Sequence, residues 1–98
     1  MTKSLKIHID LINENLATLK CKFGVKRIAI FGSVARGENN KNSDIDVMVE
    51  LDQPISLFAF MELENYLSKI LGAKVDLTTK KAIKSTIKKE VLKDLVYA

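Results

Sequence analysis

Among its 98 residues the chain has no tryptophan, one proline (Pro54), one cysteine (Cys21) and one histidine (His8). A lone cysteine cannot pair within the chain, which excludes an internal disulfide framework and agrees with a reducing compartment. Near a helix end, Cys21 reads as a packing residue rather than a reactive thiol. With a single His and a single Cys, a soft-ligand metal site is excluded too. Wholly apolar runs extend over only a few residues, too short for a transmembrane helix, and the Met-Thr-Lys-Ser start lacks the apolar core of a signal peptide. A cytoplasmic location is expected. Neither low-complexity stretches nor internal repeats interrupt the pattern.

What is there is an ordinary globular composition, 47% hydrophobic and 29% charged. The length fits one domain, read as residues 1–98, with one hydrophobic core. Sixteen Lys plus Arg against twelve Asp plus Glu leave a net charge of +4, and the excess lies mostly in lysines between Lys74 and Lys93. Such a run reads as a solvated lysine face, since the basic-aromatic interleaving that stacks bases is missing and nucleic acid is not expected as the main partner.

Leu5, Ile9, Ile12, Leu16, Leu19 and Phe23 recur at intervals of four and three, predicting a helix over residues 4–22 that Gly24 ends. Residues 25–31, β-branched and aromatic between two glycines, read as a buried strand, with Ser33 at a helix N-cap position beyond it. A polar loop at 38–43 leads to a second strand at 44–51. Ser56 then caps a helix marked by Leu57, Phe60, Leu63, Leu67, Ile70 and Leu71 and ended by Gly72. Phe58, Met61 and Tyr66 lie on or near its apolar stripe and read as packing, any exposed remainder being a candidate partner surface. A third strand at 74–78 precedes a last amphipathic helix through Ile83, Ile87, Val91, Leu92 and Leu95, although the final Val-Tyr-Ala could be extended. The expected fold class is α/β (α+β), a small mixed sheet with helices mainly on one face.

Alternate side chains of a strand point to opposite faces, so Asp44 and Asp46 share one face while Ile45, Val47 and Val49 share the core face. In the third strand Val75 and Leu77 face the core, and Asp76 between them joins the other aspartates. Two carboxylates about 5.5 Å apart repel by roughly 3 kcal/mol at an effective dielectric of about 20, and a cation relieves this. Carboxylate oxygens are hard ligands suited to Mg²⁺, which completes its shell with water and substrate phosphates. Gly32 lets the backbone turn close to a ligand, and the amides from Ser33 onward offer donors to an anion. The Ser33 hydroxyl and the Arg36 guanidinium add to that phosphate site. Gly32 and Gly37 have P-loop spacing, but Glu38 and Asn39 stand where its Lys and Ser/Thr belong, which argues against a P-loop ATPase.

Taken singly, each feature has a plainer meaning: solvent-facing aspartates on an edge strand, a serine that only caps a helix, an arginine in a surface ion pair, and Met48 as a gap filler. His8 lies one position off the apolar stripe and reads as structural. The combination favours a site.

Gly32-Ser33, ten intervening residues, Asp44-Ile45-Asp46 and a later Asp76 resemble the DNA polymerase β-type nucleotidyltransferase superfamily. The stretch FGSVARGENNKNSDIDVMVE followed by KVDLTT is similar to the minimal nucleotidyltransferases, MntA-like antitoxins that act beside HEPN-domain toxins; the resemblance spans residues 28–78. It implies the nucleotidyltransferase fold and an Mg²⁺-dependent transfer with two metal ions. Asp44 and Asp46 would hold metals and triphosphate, Asp76 would help hold the metal nearer the acceptor and take its proton, and Gly32, Ser33 and Arg36 would bind the phosphates. It further implies ATP as donor and AMP transfer to a tyrosine of the HEPN toxin, an RNase. Two alternatives remain open: a non-catalytic module that neutralises its partner by occlusion, and an enzyme acting on a small molecule or RNA with a separate substrate-binding subunit.

Overall fold

The structure, a computed structural model, describes residues 3–32, 44–82 and 95–98. The stripe predicted as one helix forms two, α1 (Lys3–Glu14) and α2 (Leu16–Phe23). Asn15 explains the break. Its side-chain amide donates to the Leu11 carbonyl at 2.9 Å, and its side-chain oxygen accepts the Tyr66 hydroxyl at 3.2 Å. A short amide that bonds the preceding turn competes with helix propagation. The stripe is still used as read: Leu5, Ile9, Ile12, Leu19 and Phe23 are buried.

β1 (Val25–Phe31) pairs antiparallel with β2 (Ile45–Leu51), and β2 pairs in parallel with β3 (Val75–Thr79). The C-terminal end takes the extended alternative as β4 (Val96–Tyr97), antiparallel to β1, giving the order β3-β2-β1-β4. The sheet is mixed, as expected. Between β2 and β3 runs α3 (Leu57–Leu71), whose first turn is capped by the Ser56 hydroxyl accepting the Ala59 amide at 3.1 Å. Val25 and Ile28 both reach the core although they lie three positions apart, and the register shift between Val25 and Arg27 makes this possible. One extra residue at a bulge restores the alternation.

α1, α2 and α3 contribute to one core with Ile28, Ile30, Ile45, Val47, Val49, Val75 and Leu77. On the opposite face Ala29, Phe31 and Met48 form a separate small cluster against Leu95. Met48 is therefore fully buried, in keeping with the gap-filling reading. Phe60 and Tyr66 pack against the main core, whereas Leu57 (73% exposed), Phe58 (81%) and Met61 stay at the surface. The predicted short helix after Ser33, the polar loop at 38–43 and the last helix from Ile83 to Leu92 lie outside the described residues. Among the described residues no helix is long and apolar enough to cross a membrane.

Candidate active site

The alternation of β2 sets the site. Ile45, Val47 and Val49 are drawn beneath the helices, so Asp46 must project from the other face. The register places Asp46 opposite Phe31 of β1 on one side and opposite Asp76 of β3 on the other. Gly32 follows Phe31 directly and has φ +75°, a left-handed conformation that favours glycine. A Cβ built there would fall on the Asp46 carboxylate. Glycine at 32 thus serves two ends: it turns the chain out of β1, and it leaves room for the acid side chain beside it.

Asp76 stands on an edge strand, whose outward amides need partners. α3 supplies them. Ser68 donates to the Glu64 carbonyl at 2.9 Å and accepts the Val75 amide at 3.1 Å, and the Glu64 carboxylate accepts the Leu77 amide at 3.1 Å. The residues on both sides of Asp76 are therefore bound to one helix, while Asp76 itself is exposed. This support escapes the periodicity argument, which counts only apolar positions. Its signal is a pair of polar residues one helical turn apart, each directly following a buried leucine, Leu63 or Leu67.

Asp44 immediately precedes β2. The next residue, Ile45, donates its amide to the Lys74 carbonyl at 2.9 Å, and the Lys74 ammonium lies 3.9 Å from the Asp44 carboxylate. The sequence alone placed Lys74 at the start of the third strand and in a solvated lysine run, with no partner for its ammonium.

The structure thus brings Gly32, Asp46 and Asp76 together at the start of the β2–β3 pair and turns Asp44 toward Lys74. Among the described residues no three His, Cys, Asp or Glu side chains gather closely enough to hold an ion, so the expected convergence of three carboxylates is only partial. Like-charge repulsion and the nearby ammonium both act against it. Ser33 and Arg36 lie outside the described residues. The donor set nevertheless fits a hard divalent cation in kind: carboxylate oxygens on one face, beside a glycine whose missing side chain leaves room for the Asp46 carboxylate.

A cavity of about 540 Å³ opens elsewhere, at the far end of β2 and β3, between residues 49–54 and 79–81. None of the three aspartates lines it. The half-buried Glu50 on its wall has a carboxylate oxygen without a hydrogen bond, 3.7 Å from the Lys80 ammonium, so the charge is already balanced there.

The nucleotidyltransferase domain family matches residues 7–98. Protein adenylyltransferase MntA of Thermococcus cleftensis is 47% identical over 88 residues, which cover 90% of this chain and 89% of that one. Among solved structures, one described as a minimal nucleotidyltransferase superposes with a TM-score of 0.74 at 26% identity, over 97% of this chain and 95% of the other. A complex of a tri-AMPylated Shewanella oneidensis HEPN toxin with its MNT antitoxin gives a TM-score of 0.59 at 21% identity, over 96% of this chain and 67% of that one; at this identity the likeness speaks for the fold. The chain belongs to the nucleotidyltransferase family, and its fold and relatives are those of the minimal, MntA-like members. It is a nucleotidyltransferase.

Proposed function

We propose that this protein, read as one domain over residues 1–98, transfers AMP from ATP to a tyrosine hydroxyl of a HEPN-type RNase in the cytoplasm and so acts as the antitoxin of the pair. The observation that carries the proposal is the register Phe31–Asp46–Asp76 with Gly32 against the Asp46 carboxylate, which sets two acids beside the backbone turn at the end of β1. The adenylyltransferase relative and the AMPylated partner in the Shewanella complex support the choice of group and acceptor.

Asp44, Asp46 and Asp76 would hold two Mg²⁺ ions, which when bound neutralise charge on the phosphates. In this reading Gly32 and Ser33 orient the β- and γ-phosphates through backbone amides, and Arg36 adds a guanidinium to them. The acceptor oxygen forms a bond to the α-phosphorus as the bond to the bridging oxygen breaks and pyrophosphate departs. The phenolic proton passes to Asp76, whose exposed position leaves it open to an incoming acceptor. The apolar side chains left at the surface by α3 (Leu57, Phe58 and Met61) suit a protein acceptor better than a small molecule.

The same surface favours a second reading, neutralisation by occlusion alone. Intact mass measurement of the HEPN partner after incubation with Mg²⁺ and ATP separates the two. An added AMP that maps to a tyrosine, and the loss of RNase activity with it, is the expected result. An unmodified partner that is inhibited all the same would replace transfer by occlusion, and label in RNA or a small molecule would redirect the assignment.

A further inference from the structure

The pairing of Lys74 with Asp44 carries a consequence for how the site loads. Lys74 engages the residue pair 44–45 twice, through its carbonyl to the Ile45 amide and through its ammonium near the Asp44 carboxylate. The side-chain contact is long and largely solvated, with Lys74 81% and Asp44 44% exposed, so it adds little to folding. What it changes is the charge at the mouth of the site. An ammonium beside Asp44 partly compensates the acids on that face, and it occupies the carboxylate that a cation would use.

We infer that Lys74 is a positioning residue that disfavours a divalent cation at Asp44 until the negative charge of a nucleotide is present. This rests on the reading of Asp44 and Asp46 as cation ligands. Without nucleotide, a cation must displace the ammonium and then sit close to it, which is unfavourable. With a triphosphate nearby, the displaced ammonium has phosphate oxygens as an alternative partner, and the same charge becomes attractive. Lys74 therefore acts in opposite directions on cation and nucleotide, so that the two load together.

The test measures binding, with Mn²⁺ as the probe, by calorimetry on the full chain. Lys74→Gln is expected to bind Mn²⁺ alone about fivefold more tightly than the wild type and a nonhydrolysable ATP analogue with Mn²⁺ about fivefold more weakly, with Lys74→Arg close to the wild type in both. A purely structural role for Lys74 would weaken both or neither. The inference is overturned if Mn²⁺ affinity differs by less than about twofold between Lys74→Gln and the wild type, or if both affinities move in the same direction. Transfer from α-labelled ATP by the wild type then distinguishes the failures. Transfer retained leaves the site reading intact and removes only the role of Lys74; transfer absent, with no Mn²⁺ binding in either protein, removes both.

Discussion

Among the described residues, α1, α2 and α3 close over a core of sixteen buried side chains on one face of the sheet; on the other, only Ala29, Phe31 and Met48 are buried, and the aspartates stand at the edge of that small patch. Both faces are made by the same strands. In β2, Ile45 and Val47 belong to the first face, and Asp46 between them to the second. The difference shows how a chain this short can hold acids in a fixed place. The apolar neighbours of Asp46 and Asp76 fix the backbone by hydrophobic burial, and α3 adds hydrogen bonds on either side of Asp76. Asp46 and Asp76 are thereby held side by side, where like charges would not settle unaided.

That contrast can be broken from either side. The largest effect on stability should come from the helical face: Leu67→Ala, at a fully buried position, is expected to lower unfolding free energy by about 3 kcal/mol in urea titration. Gly32→Ala should cost about 2 kcal/mol, combining left-handed backbone strain with overlap on the Asp46 carboxylate, and should depress AMP transfer well beyond what partial unfolding explains. Glu64→Ala leaves the Leu77 amide without its acceptor and should cost about 1 kcal/mol, with faster amide exchange at Leu77 as the local signature.

The smallest effect concerns His8. Its Nδ1 is buried without a hydrogen bond, and burial lowers its pKa below the ordinary 6.5. The unfolded chain then takes up a proton first as pH falls, so stability should be unaffected well above 6.5 and decline as pH drops through that value toward the lower folded pKa. Thermal midpoints measured between neutral and mildly acidic pH should show this decline, and His8→Gln should flatten it.

The comparison of the faces also explains what was legible beforehand. Burial obeys periodicity, so the core faces of β2 and β3 and the shared side of Asp46 and Asp76 followed from residue spacing, and the α3 cap at Ser56 from a hydroxyl residue just ahead of the apolar stripe. The break at Asn15 did not, because it depends on a side chain bonding its own preceding turn and on Tyr66, distant in sequence. Strand order was likewise hidden, since alternation states which side chains share a face and not which strands are neighbours. Lys74 and Glu64 escaped notice for a related reason: a charged residue at a solvated position looks the same in sequence whether or not it meets a partner across the fold.

The most direct test of the catalytic face is the single-turnover rate of AMP transfer from α-labelled ATP to the HEPN partner by Asp46→Asn, measured beside its thermal midpoint. The rate is expected to fall by about a thousandfold or more, equivalent to about 4 kcal/mol, with the midpoint showing that the variant is still folded at the assay temperature. A variant that transfers AMP at close to the wild-type rate would contradict the account.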